Sequence, residues 1–455
     1  MAGCIEDNFT TSPQDVLAFS TDTLSFDTVF TDLGTPTARL KVFNHAKKSV
    51  NISSIGMREP DTYFQMNVDG QSGRTFHDVE IRGGDSIFIF VECKLPEQKV
   101  NTPQLTSDAI VFITNGVEQQ VELEAWGQNV RRLRGERIEA DTRFTDELPI
   151  VVFDSLVVEK GAKLSLDPGV QLLFHDKAAM RVRGQLEAVG TAEKPIHLRG
   201  DRLDKALVNA PYDLFAGQWE GVTIAPESYG NRLEYVNMRS TVYGLRLDSV
   251  ADASRSKLLM VNSWLHNSQG TVHEAKYASV QAYGCCFSEA ADNVVALYGG
   301  EYDFGQCTFS NYYLFAVPAA PIVGLYHVLP SKALCELPLM TASFDNCIIY
   351  GMPGDLNEGD LNDTNVYLRY TLLRSEGSDD EHFISCLWGA DPLFYTDRPE
   401  YVFNYRVRPE SPAIGAGAPQ YVPALSRSDM YGVDRLAAGA PTLGAFQYVA
   451  PPAEN

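Results

Sequence analysis

No stretch of this chain approaches the roughly 18–20 consecutive apolar residues that a membrane-spanning helix requires, so nothing in it reads as a transmembrane segment. Basic residues are scarce: 37 Lys and Arg stand against 59 Asp and Glu, a formal net charge of −22. Neutralising a phosphate backbone needs a clustered basic surface, and its absence argues against a nucleic-acid partner. Cysteine is sparse too. The residues at 4, 93, 285, 286, 307, 335, 347 and 386 show no CxxC or Cys/His spacing of a zinc site, and they are too few to scaffold a chain of 455 residues. No Gly-rich loop joins a strand pattern to a helix pattern, so nucleotide binding has no support. Histidines 45, 77, 175, 197, 266, 273, 327 and 382 are scattered. The local pairs His175-Asp176 and His273-Glu274 have no nucleophile motif beside them and read as strand ends or turns.

What the chain does contain is strand. An apolar fraction of 44% and an aromatic fraction of 11% are those of a folded protein. At 455 residues it is too long for one ordinary core, so several domains or an elongated repeat array are expected. From Val16 to about Val130, short alternating runs at 38–43, 50–55, 64–68, 85–91, 109–114 and 119–125 are separated by turns. Alternation of period two puts one face in a core and the other in water, and Asn115-Gly116 is a hairpin signal. About seven such strands predict a sandwich of two sheets.

A charged stretch at 129–145, with Arg131, Arg132, Arg134, Glu136, Arg137 and Glu139, reads as a joint. Beyond residue 148 short strands recur without helical periodicity between them. Then a motif returns: a polar or small residue, Ser or Cys, any residue, and a large apolar one. Its copies are Asn262-Ser263-Trp264-Leu265, Gly284-Cys285-Cys286-Phe287, Gln306-Cys307-Thr308-Phe309, Asn346-Cys347-Ile348-Ile349 and Ser385-Cys386-Leu387-Trp388. Positions 265, 287 and 309 are 22 apart, and 349 and 388 follow after 40 and 39. A period near 22 is one coil of a parallel β-helix; the longer intervals are coils with insertions, or two coils of uneven length. Stacked about 4.8 Å apart, neighbouring coils share backbone hydrogen bonds and one apolar interior. Residues two apart face the same side, so Cys285 with Phe287 and Cys307 with Phe309 should point inward, and Cys286 outward. A disulfide between Cys285 and Cys307 is geometrically open, while a ladder of reduced thiols is the expected state.

Three resemblances sharpen this reading. The segments KVFNHAKKSVNISSIGM and FITNGVEQQVELEAWGQ, with the Gly83-Gly84-Asp85-Ser86 turn, resemble Ig-like domains of the abnormal-spindle/hydin type, which act as spacers or interaction modules. The ordered motifs NCIIYG, ADPLFYTD, NYRVRPESPAIGAGAP and DMYGVDRLAAGAPTLGAFQY resemble the C-terminal region of choice-of-anchor Q proteins, on a right-handed parallel β-helix. Such a tail is expected to cap the open end of the coils, whose unpaired edge invites aggregation. The start, Met1-Ala2-Gly3-Cys4, resembles the end of a bacterial lipobox, with Glu6 and Asp7 placed as in surface-export signals of Bacteroides-type lipoproteins. The charged and apolar parts of a signal peptide are missing, so the chain reads as trimmed to that boundary, with Cys4 the lipidated residue.

The expected organisation is therefore all-β: a tether at 1–13, an Ig-like β-sandwich at 14–130, a right-handed parallel β-helix at 131–395 and a C-terminal cap at 396–455. Parallel β-helices host pectate lyases and polygalacturonases, whose chemistry needs a Ca²⁺ cluster of acids with a basic residue, or paired carboxylates. The polygalacturonase signatures are absent, and Asp379-Asp380 reads as a solvated turn. The acid-rich loop 354–363 has oxygen ligands on alternate residues but lacks the spacing of an EF-hand, and reads as an exposed insertion. Tyr212, Phe215, Trp219, Tyr229, Tyr235 and Tyr243 fall near successive coils, with Tyr312, Tyr313 and Phe315 in a later insertion. Of these, Tyr212, Tyr229, Tyr243, Tyr312 and Tyr313 are the candidate ligand-binding aromatics, while Trp219 reads as core. No catalytic residue, metal or cofactor is assigned. The expectation is a monomeric outer-membrane lipoprotein, held by its lipid alone and surface-exposed. It would be non-catalytic, binding a polysaccharide or a protein or serving as a stalk, the alternative being a polysaccharide lyase or glycoside hydrolase acting on an acidic or host glycan on the β-helix face.

Overall fold

The computed structural model describes residues 9–207, 210–249, 254–328, 340–357, 361 and 364–450, and omits the side chains of 205–207. Cys4 and Cys335, like half of the acid-rich loop (358–360, 362 and 363), lie outside the described residues. Two compact units are present, Met1–Val130 and Arg131–Asn455.

The first unit is the β-sandwich. One sheet orders Ala18–Phe19, Ala38–Phe43, Ser86–Cys93, Phe64–Val68 and Gln71–Gly73; the other orders Thr23–Phe30, Val117–Gln128, Gln104–Thr114, Val50–Met57 and Thr75–Phe76. Leu40, Val42, Ile52, Phe64, Ile89, Val91, Ile110, Phe112 and Leu123, alternate residues of their strands, fill the space between them. The Asn115-Gly116 hairpin forms as its sequence demands. Both residues take left-handed φ, 52° and 77°, between the paired Thr114 and Val117.

The second unit is a parallel β-helix with three faces. Face I runs through Gln171–Phe174, Ile196–Gly200, Val236–Thr241, Trp264–Ser268, Cys286–Ala290, Thr308–Asn311, Ile348–Gly351 and Leu372–Leu373. Face II runs from Arg131–Ile138 to Leu356–Asn357, and face III from Thr142–Phe144 to Phe383–Ile384. Faces I and II join because Ile150–Val158 crosses their corner, pairing with Gln171–Phe174 at one end and Ala179–Val182 at the other. The charged stretch read as a joint is instead the first coil: Leu133 and Ile138 point inward, while Arg131, Arg132, Arg134 and Arg137 face water. Charge on one face of a strand is compatible with a core on the other.

The repeat motif has a physical basis at each position. Its first residues, Asn262, Gly284, Gln306, Asn346 and Ser385, all have φ between 46° and 66° and turn the corner into the next strand. Its second positions are small because they sit against backbone: Ser263 donates to Val261 O, Cys307 to Ala282 O and Cys347 to Asp345 O. Its fourth positions stack. Phe287 pairs in register with Leu265 and Phe309, and the two phenyl rings lie 5.3 Å apart and 5° from parallel. Phe304 and Phe344, on face III, close the same layer at 5.0 Å. Cys285, Cys307 and Cys347 are buried free thiols. Both kinds of long interval occur. The 40 residues from Phe309 to Ile349 are one coil with insertions, whereas the next 39 hold two, because Ile349 pairs with Leu373 and Leu372 bridges Leu387. Trp219 is core as expected, stacked on Phe174 at 4.0 Å with its indole N–H donating to Arg239 O.

The tail covers a flank of the coils and not their end. Phe394, Tyr405, Val407, Ala413, Leu443 and Phe446 pack on the outward side of face I, over Cys286, Ile348 and Leu372. Cys286 therefore points out of the coil, as its register requires, yet is fully buried. Arg435, also buried, holds the tail's turns by donating to Ser426 O, Gly444 O and Ala445 O. The last coil is met instead by Phe383, Cys386 and Trp388. The tail goes to the flank because the outward column there is itself apolar, and the end is already occupied.

Replacing Phe309 by Ala should cost about 3–5 kcal/mol of stability, the range for a large core aromatic. Urea unfolding would show it, and a loss under 1 kcal/mol would contradict the stacked interior.

Candidate functional site

The tail does not run the full length of face I. From Cys286 to Leu372 the outward column is apolar or small and covered; before it the column reads His197, Asn237, Trp264, and beside it Arg199, Arg239, His266. The close-packed part of the cover reaches Trp264, which meets Tyr405 and Phe446 edge to ring at 6.2 Å. Where the cover ends, a cleft of about 240 Å³ opens. Its floor is Asn237, Arg239, Trp264, His266 and Glu289, and its walls come from two insertions, with Asp213 and Leu214 and then Tyr313 and Phe315, and from the tail, with Tyr401 and Phe403. Phe215 and the exposed Phe315 stack at 4.7 Å, joining two of those walls. A second hollow of about 150 Å³, lined by His197, Tyr235, Asn262, Met430 and Tyr431, shares Asn237 and Trp264 with the first.

Charge in the cleft is organised around Asp213. Its carboxylate is shared by Arg199 and by Arg239, the latter at 2.8 Å. Asp201 is engaged by His175 at 2.7 Å and Asp204 by Arg202 at 2.6 Å. Two guanidiniums therefore share one carboxylate, which leaves a local surplus of positive charge in a chain of net −22. The Arg239 Nε–H, buried, has no hydrogen-bond partner among the described residues. An unpaired buried donor is costly, and the exposed part of the same guanidinium lines the cleft, where an anion would find a charge-assisted partner.

Beside this pair sit two groups in unusual states. Glu289 has φ 52° at the end of its strand, which turns its side chain into the buried floor. Burial pushes its carboxyl up to about 8, although Ser288 Oγ donates to it at 2.7 Å and Tyr405 OH also contacts it. His266 is held well below its ordinary value by burial and by Arg239 and Arg199, so it is neutral near pH 7. Its Nε2 lies 3.3 Å from Asn237 Oδ1 and its Nδ1 3.9 Å from Glu289 Oε2.

The five tyrosines expected to bind ligand are not brought together. Tyr313 lines the cleft, and Tyr312 is half-buried against the tail. Tyr212 lies in the turn that delivers Asp213, with its ring under the Arg202 guanidinium at 3.9 Å. Tyr229 is stacked by Arg255 at 3.9 Å and Tyr243 by Arg246 at 4.3 Å, neither of them lining the cleft. Of the His-acid pairs, His175 binds Asp201 rather than its neighbour, and His273 is a core residue stacked on Phe287 at 5.9 Å, lowered to about 4 by burial. Asp379 and Asp380 order their own loop, accepting from Ser385, Cys386, His382 and Phe383 backbone N–H groups. No group of three or more potential metal ligands occurs among the described residues. The sequence analysis missed the cleft; the signal that could have found it is the alternation of Asn237-Met238-Arg239 and Trp264-Leu265-His266, polar or aromatic outside and apolar inside.

The molecule is thus an all-β protein that joins an Ig-like sandwich to a parallel β-helix. No family model and no curated protein matches the chain. Among solved structures, the PapD-like domain 7 of human CEP192 is 9% identical with a TM-score of 0.17, covering 25% of this chain and 84% of that one. The N-terminal domain of PorA is 14% identical with a TM-score of 0.18, covering 25% and 97%. A family 123 glycoside hydrolase from Clostridium perfringens is 8% identical with a TM-score of 0.18, covering 24% of this chain and only 25% of the enzyme. Likenesses this slight carry no argument about activity.

Glu289 makes a prediction about pH. Folding raises its carboxyl from about 4.5 to about 8, so its contribution to stability is complete below pH 4.5 and is lost as pH rises through 8. Glu289→Gln removes that loss. The melting temperature of the variant minus that of the parent should be flat below about pH 4.5 and climb between there and pH 8; a difference that falls over this window would contradict the burial of a neutral acid.

Proposed function

We propose that this chain is an envelope lipoprotein, anchored through Cys4 and exposed at the outer surface of the cell, whose β-helix cleft binds an anionic saccharide. The observation that carries the reading is Arg239: a half-buried guanidinium, paired with Asp213, that lines a cleft whose floor holds Trp264 and whose walls hold Tyr313, Phe315 and Phe403. Aromatic faces stack on the apolar faces of sugar rings, and a guanidinium fork recognises a carboxylate or sulfate with two hydrogen bonds. Repulsion from the net charge of −22 is screened beyond about 8 Å at physiological salt, so the local arginine pair decides the sign of the site. The two hollows on either side of Trp264 suit a ligand of more than one sugar unit. A cleft that takes part of a long chain is also compatible with a glycan held at the cell surface.

Calorimetry with uronate oligosaccharides and neutral oligosaccharides of equal length tests this. The uronates should bind and the neutral sugars should bind at least about tenfold more weakly; Arg239→Gln should remove that difference, the scale of one charge-assisted pair. Equal binding of both, or no loss in the variant, would overturn the reading.

A further inference from the structure

Resting on the proposed binding of an anionic saccharide, we infer that the cleft also cleaves it, by β-elimination of a 4-linked uronate, with His266 as the base and Glu289 as the acid. The geometry selects this chemistry over hydrolysis. A glycoside hydrolase needs two carboxyl groups facing the scissile bond. Among the described residues the carboxyl groups lining the cleft are Glu289 and Asp213, and Asp213 is locked between Arg199 and Arg239. Elimination needs three other things: a cation on the uronate carboxylate, a neutral base, and a proton donor for the leaving oxygen. All three line the cleft, as Arg239, His266 and Glu289.

Each group is in the state its role requires. With Nε2–H donating to Asn237 Oδ1, the neutral His266 keeps the lone pair on Nδ1. Burial leaves Glu289 protonated at neutral pH, and the hydrogen bonds to Ser288 and Tyr405 hold it in place. Arg239 on the carboxylate acidifies the adjacent C5–H. His266 Nδ1 takes that proton, the C–H electron pair becomes the C4=C5 double bond, the C4–O bond breaks, and the leaving oxygen takes the proton of Glu289. The products are a new chain end and a 4,5-unsaturated uronate. His266 now carries the C5 proton and Glu289 has given its own to the leaving oxygen; Nδ1 and Oε2 are 3.9 Å apart, too far for direct transfer, so each group is reset by proton exchange with the medium once the products leave. No oxidant, water or metal enters the balance.

The arrangement also names the substrate class. His266 and Glu289 come from adjacent strands of face I and approach the sugar from one side. Elimination from one side requires H5 and O4 on the same face of the ring. Glucuronate and mannuronate have them so; galacturonate has them on opposite faces.

The test incubates the full chain with a 4-linked glucuronan, polymannuronate and polygalacturonate, and follows the ultraviolet absorbance of the conjugated product together with its mass. Binding is measured in parallel. Cleavage of the first or second polymer and not the third is the expected result. His266→Ala and Glu289→Gln should each slow it by about a hundredfold or more, while melting as folded proteins and binding the polymer within a few-fold of the parent. Binding without product from either cis uronate overturns cleavage and leaves the binding reading standing. No binding at all overturns both. Product from galacturonate alone overturns the one-sided geometry, and full activity in both variants overturns the assigned residues.

Discussion

Parallel coils stacked at the strand spacing, about 4.8 Å, force every residue to lie over its counterpart in the next coil. Everything else in the second unit follows from that register. Inward columns become a continuous core in which Leu265, Phe287, Phe309 and Ile349 succeed one another. Outward columns become long stripes of like or unlike character. A stripe cannot be altered at one coil without changing what its neighbours touch, so the chemistry of a β-helix is distributed along its length rather than concentrated in a loop.

Face I shows how such a stripe is divided. Its outward column is apolar or small from Cys286 onward and must be covered, and the tail does this with Tyr405, Leu443 and Phe446, held by the buried Arg435. Before Cys286 the same column turns polar and aromatic, and the cover ends. The cleft is the step between the covered and uncovered parts. Its floor is set by strand register and its walls by insertions at 211–215 and 313–315 and by the tail at 401–403. Rigid floor and adaptable walls are the usual division of labour for a binding site on a repeat scaffold. The short, buried contacts among Ser288, Glu289, Tyr405 and Trp264 tie the last turn of the floor to the tail, so cover and cleft are one construction.

The sequence carried the architecture because the repeat was written in bulky residues at even spacing. Leu265, Phe287 and Phe309 recur every 22, and the left-handed corner three places earlier holds Asn, Gly, Gln or Ser in each copy of the motif. The coil at Leu373 was hidden because its neighbour Trp388 is only 15 residues away, and its corner residue is Tyr370, which fits no small-or-polar motif. Cys286 was correctly turned outward, but alternation cannot say whether solvent or another segment waits there. The cleft was harder still. Asn237, Trp264 and Glu289 sit on three coils with intervals of 27 and 25, and Asp213 and Phe403 arrive from segments with no strand periodicity. The tyrosines attracted notice for their number, yet several are stacked under arginines, which is how an exposed ring at a coil corner is held. The acidity of the whole chain also concealed a site that is locally basic.

The claim on which the rest stands is that Phe287 and Phe309 are vertical neighbours in one column, and a double-mutant cycle measures it directly. Stacked rings should show a coupling of about 0.5–1.5 kcal/mol between the two positions. Phe309 and Leu172, separated by five coils of the same face, should be additive. If Phe287 and Phe309 prove as independent as that distant pair, the column does not exist, and the cleft built on its outer side goes with it.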